Sequence, residues 1–142
     1  MRILIVEEQV LCSEMLREIL SAQPGLRVVA TARTAAAAEA LLEREGVDVV
    51  LLDLLLPDRS GLELIGALAA RGSRARLVVC SAMNHRAAIA TAFSLGAHAF
   101  VPKTATLAEL IDTLRTRRRV EIENVTVAEE DVSFRLPRQL VA

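Results

Sequence analysis

Three acids, a hydroxyl and an ammonium in this 142-residue chain are candidates to do chemistry together. Glu7 and Glu8 follow the apolar run RILIV, and Asp53 stands inside VVLLDLLLPDRSG. Ser81 ends ARLVVCS, and Lys103 follows AFVP. An ionised carboxylate in so apolar a run as that around Asp53 is costly without a partner. Several carboxylates brought together repel one another and invite a hard divalent cation such as Mg2+. With a lysine and a hydroxyl beside them, the set suits phosphoryl transfer. Asp53 would be the nucleophile, Mg2+ would offset charge on one phosphoryl oxygen, and Lys103 and Ser81 would take the others.

Each residue also has a plainer reading. Glu7 and Glu8 favour the positive N-terminal end of a following helix. Asp53 suits a loop cap, Ser81 a strand-end turn, and Lys103 a solvated surface. Asp58 reads as turn chemistry. His85 reads as a loop residue and His98 as a strand-edge residue. The basic run at 115–119 reads as a solvated last helical turn, where cations suit the helix dipole. Position decides between the two sets of readings, so the elements that carry these residues matter.

Apolar strand-like runs alternate with segments of helical period. RILIV (2–6), LRVVA (26–30), VDVVLL (47–52), ARLVVC (75–80) and HAFV (98–101) read as strands. The helical stripe Leu11, Met15, Leu16, Ile19 and Leu20 follows the first and stops at QPG (23–25). TAAAAEALLERE (34–45) is a second helix, with Thr34 as N-cap and Gly46 as its stop. Ser60 with Glu63, and Thr106 with Glu109, have capping-box spacing ahead of helices that end near Gly72 and after LAELIDTLR. Residues 86–95 form a helix ended by Gly96. Five β-α units with strands apolar on both faces imply a doubly wound α/β fold: one parallel five-stranded sheet covered by helices on both faces. With strand order 2-1-3-4-5, Glu7, Glu8, Asp53, Ser81 and Lys103 all fall at the carboxyl edge, where such sheets bind ligands.

The pieces ILIVEE (3–8), DVVLLDLLLPDRSGLELI (48–65), LVVCSA (77–82) and GAHAFVPKTATLAELIDTLR (96–115) resemble the receiver domain of two-component response regulators. The separations agree with that family: 45 residues from Glu8 to Asp53, 28 to Ser81 and 22 more to Lys103. PKTATLAELIDTLR resembles the LuxR/FixJ-type subfamily, whose receivers usually precede a helix-turn-helix. The resemblance implies a flavodoxin-like fold and a non-enzymatic signalling role. It implies that Asp53 accepts phosphate from a sensor histidine kinase or phosphotransfer protein. Mg2+ would be held by Glu7, Glu8, Asp53 and the Leu55 carbonyl. Ser81 would move toward the phosphoryl group, Lys103 would bind it, and Phe100 would be an aromatic switch. Phosphorylation would change dimerisation or partner binding on the face of the fourth helix, fifth strand and fifth helix, in transcriptional control. The departure is Glu8, where the family commonly has Asp. Glu is longer by about one C–C bond, ~1.5 Å, and Mg2+ tolerates little deviation. The alternative reading is therefore a degenerate receiver that binds proteins without using phosphate.

Composition is consistent with this. The formal net charge of −1 gives no push toward nucleic acid. No run is long enough to span a bilayer and no signal peptide is evident, so the expectation is a cytoplasmic protein without membrane contact. Cys12 and Cys80 read as buried free thiols. A D-x-D phosphohydrolase or Toprim-type enzyme is disfavoured by Asp53-Leu54-Leu55, and a flavin module by the lack of a phosphate loop after the first strand. The receiver is placed at 1–118 and a tail or linker at 119–142. In that tail VEIENVTV (120–127) alternates as an edge strand would, and AEED interrupts it. The tail is too short for a DNA-binding domain, so DNA would be reached only through an effector domain. A homodimer pairing through the tail is a further expectation.

Overall fold

In the computed structural model, residues 1–83, 85–117, 119–122 and 137–140 are described. The elements run β1 (Arg2–Val6), α1 (Val10–Ser21), β2 (Arg27–Ala32), α2 (Ala35–Arg44), β3 (Val49–Leu52), α3 (Gly61–Ala70), β4 (Arg76–Ser81), α4 (Arg86–Leu95), β5 (Ala99–Pro102), α5 (Leu107–Arg115), β6 (Arg119–Ile122) and β7 (Pro137–Leu140). The sheet order is β2-β1-β3-β4-β5-β6-β7. The expected 2-1-3-4-5 core is present and parallel throughout. Among the described residues, two further strands from the tail extend this five-stranded core at the β5 edge. β6 adds parallel to β5, and β7 returns antiparallel to β6. The rhythm of the β-α units thus runs one strand further than the apolar pattern showed, because RVEI carries charges that hide its Val and Ile. Only residues 120–122 of the alternating tail segment fall in β6; residues 123–127 and AEED lie outside the described residues.

Strand side chains alternate between two buried layers, as a period of two requires. Leu4, Val6, Val50, Leu52, Val79 and Phe100 face the layer with α2, α3 and α4. Ile3, Ile5, Leu51, Val78 and Val101 face Leu20 of α1 and Leu110 and Leu114 of α5. The α1 stripe is wider than the face it buries: Leu11 is 73% and Met15 55% exposed, while Leu20 is fully buried.

Helix ends follow local chemistry. Thr34 accepts from the Ala37 N–H, and Thr106 with Glu109 completes a capping box. Ser60 caps α3 by accepting from the Leu62 N–H, while the Glu63 N–H goes to the Ser60 carbonyl. His85 is not a plain loop residue; its ring nitrogen accepts from the Ala88 N–H and caps α4. Gly72 and Gly96 end their helices at φ 72° and 128°. Gly46 is not used this way, since α2 already leaves the helical region at Glu45. The far end of α5 is held from β4: the Arg76 guanidinium donates to the Thr113 and Leu114 carbonyls at 3.1 and 3.0 Å. Cations suit that end of a helix.

Candidate functional site

Register builds the site. Val6 pairs with Leu52, so the next residues, Glu7 and Asp53, leave the sheet side by side. The Asp53 N–H continues the ladder to the Val6 carbonyl at 3.0 Å. Ser81 pairs with Pro102, and the Lys103 N–H donates to the Ser81 carbonyl at 3.1 Å. The apolar runs thus bring Glu7, Asp53, Ser81 and Lys103 to one point at the carboxyl edge.

Glu7, Asp53 and Ser81 are all buried. Lys103 Nζ donates to Glu7 Oε1 and to Asp53 Oδ2, each at 2.8 Å. Asp53 Oδ1 accepts from the Ser81 hydroxyl at 3.0 Å and from the Leu55 N–H at 3.1 Å. Glu7 Oε2 accepts from the Gln9 N–H at 3.0 Å. Asp53 therefore sits in a buried position because three groups of the fold donate to its carboxylate, which offsets the cost of its desolvation. Burial alone would lower the Lys103 pKa; its hydrogen bonds to Asp53 and Glu7 outweigh this and raise it. The ammonium stays charged at any physiological pH.

The other expected residues are placed differently. Glu8 is exposed, with its carbonyl accepting from Arg33 Nε at 3.1 Å. Among the described residues, no three His, Cys, Asp or Glu side chains gather closely enough to hold a metal ion. The donors that do converge, two buried carboxylates beside the Leu55 loop, are hard oxygens of the kind a divalent cation takes. The chemistry of the set fits Mg2+, with Glu8 outside it. Phe100 is fully buried against Val79 on the neighbouring strand.

Three features had no clear signal in the sequence. The Cys12 thiol is hydrogen-bonded to Glu7; burial, then the Glu7 charge, raises its pKa. Burial pushes the Cys80 thiol up to about 12. Both cysteines are free as expected, but half-buried rather than buried. Asp58, in the loop after β3, accepts from the Ala35 and Ala36 N–H groups at the start of α2.

Residues 3–115 match the response regulator receiver domain family. The chain belongs to that family. This receiver is 30% identical over 126 residues to a protein-glutamate methylesterase/protein-glutamine glutaminase of Nocardioides sp., covering 87% of this chain but 34% of that protein. It is 30% identical over 102 residues to the chemotaxis protein CheY of Bacillus subtilis, covering 72% of this chain and 84% of CheY. Among solved structures it resembles a LuxR-family two-component response regulator from Aurantimonas sp., with a TM-score of 0.76, 30% identity, and coverage of 80% of this chain and 81% of that one. The chain spans about a third of the methylesterase's length. Among the described residues, no helix is long and apolar enough to cross a membrane.

Proposed function

We propose that this receiver is a phosphorylation-driven switch in which Asp53 accepts a phosphoryl group from a phosphohistidine on a sensor kinase or phosphotransfer protein. The observation that carries the reading is the pair of hydrogen bonds from Lys103 and Ser81 onto the two oxygens of a buried Asp53. Oδ1 already has two donors, and Oδ2 has one. A carboxylate oxygen has two lone pairs, so Oδ2 keeps one for attack on phosphorus. The P–N bond to the histidine breaks as the Oδ2–P bond forms, and the histidine leaves with the electron pair. Lys103 is already within reach of the incoming oxygens and binds one of them. Ser81 turns its hydroxyl from Oδ1 to another.

Glu7, Asp53 and the Leu55 carbonyl would hold Mg2+, with Glu8 contributing through water; the metal supplies charge neutralisation during transfer. The intact Asp53, Lys103 and Ser81 set favours this over a phosphate-independent interaction module. Phosphorylation adds about −1.5 to −2 charges at one point, and the output is a change in self-association or in the docking of an effector domain used in transcriptional control.

The test is intact-mass measurement after incubation with Mg2+ and acetyl phosphate. Wild type is expected to gain one phosphoryl group and Asp53→Asn none. Equal labelling of both proteins overturns the assignment of Asp53.

A further inference from the structure

A cavity of about 260 Å³ opens between α1 and α5, directly beneath the acid and lysine cluster. Its floor is the sheet face turned toward α1 and α5: Ile5, Leu51, Cys80 and Val101. Leu16 and Ala105 close its sides, while Asp53 and Lys103 form part of one wall. The space is left by small side chains. The described aromatics, Phe93 and Phe100, both pack on the opposite face of the sheet. Among the described residues, no aromatic side chain fills the gap between the two helices. The exposed Met15 and Leu107 also line it and give its opening an apolar edge.

We propose that this cavity is a binding site for a small, neutral, apolar molecule, of the size of one or two fused rings. Size supports it: an apolar void of roughly 150 Å³ stays dry and takes up benzene. Charge complementarity supports it as well. Each polar group on the wall already has a partner within the fold. Lys103 is shared by Glu7 and Asp53, Glu7 also holds Gln9, and Asp53 also holds Ser81 and Leu55. The Thr106 hydroxyl is committed to its capping box. The Cys80 thiol is uncharged at neutral pH, as its burial dictates. Unlike Mg2+ or a phosphoryl group, which would bond to the cluster itself, a charged ring in the cavity would have to break one of these pairs and lose its hydration; a neutral apolar guest displaces nothing that is well bound. A peptide helix or a second copy would cover the mouth without filling the depth.

The test is a titration of the full chain with fluorobenzene followed by fluorine NMR, and by methyl shifts of Ile5, Leu16 and Val101. A single saturable site is expected. Ala105→Leu and Leu16→Phe, which fill the void from two sides, are each expected to weaken binding at least tenfold. Whichever variant keeps the wild-type fold in its amide spectrum suffices. Benzylammonium and benzoate, of similar shape but charged, are expected to bind at least tenfold more weakly. The inference is overturned if fluorobenzene does not saturate, if the folded filled variants bind it as wild type does, or if either charged analogue binds as tightly.

Discussion

Lys103 Nζ lies 2.8 Å from Asp53 Oδ2, although 50 residues separate them in the chain. The same ammonium neutralises Glu7. Replacing it with an apolar group of similar length leaves two buried carboxylates facing each other. Lys103→Met should therefore cost about 1–3 kcal/mol of stability, read as a shift in the urea midpoint. Mg2+ should restore more of this in the variant than it adds to wild type, because the cation takes over the charge that Lys103 supplied. An identical Mg2+ response in both proteins would show that the carboxylates are not paired through this lysine.

Glu8 is exposed outside the cluster, and its side chain is one methylene longer than that of Asp. Glu8→Asp should tighten Mg2+ binding by about tenfold, or 1.4 kcal/mol, measured by calorimetry. Acetyl phosphate labelling of Asp53 should accelerate in step. Unchanged affinity would place the second acidic position outside metal binding altogether.

Gly61 has no room for a side chain. A Cβ there would fall 2.6 Å from Leu54 Cα and 2.7 Å from the Asp53 carbonyl oxygen. Gly61→Ala should destabilise the chain by about 1–3 kcal/mol through overpacking, and displace Asp53. Gly66, in the same helix, is the control: its added Cβ meets Leu95 at 3.5 Å, an ordinary contact. Gly66→Ala should stabilise by about 0.5–1 kcal/mol. Thermal unfolding of the two variants should move in opposite directions.

Asp58 ties the β3–α3 loop to the start of α2. Its pKa is lowered, first by the Ala35 N–H and also by that of Ala36. A depressed carboxyl contributes stability that is fully present above its unfolded pKa of about 3.9 and is lost as pH falls through the lower folded value. Asp58→Asn keeps the shape and removes the charge. Its urea midpoint should lie below wild type at pH 6, and the gap should close toward pH 2. A gap that holds constant across that range would assign the effect to the acceptor oxygen that Asn lacks rather than to the charge.

The core of the fold was legible because five runs are apolar on both faces, and few architectures bury a strand twice. The site was legible because register carries Glu7, Asp53, Ser81 and Lys103 to one edge once the strand order is known. What escaped was set by contacts between distant segments. Asp58 caps a helix 22 residues upstream, which no local capping pattern reveals. Leu11 and Met15 match the helical period but lie beyond the buried face. The void beneath Asp53 depends on what several small residues fail to fill, and no single position encodes that. β6 was visible only as an alternating edge segment, without the partner that makes it part of the sheet.

The two ends of α5 are held by different means, a capping box at Thr106 and the Arg76 fork at Thr113 and Leu114. The box is internal to the helix and resists fraying, whereas the fork ties the C-terminal tip to β4. A charge arriving at Asp53 would therefore meet, just past Lys103, the start of a helix whose far tip is moored to the sheet.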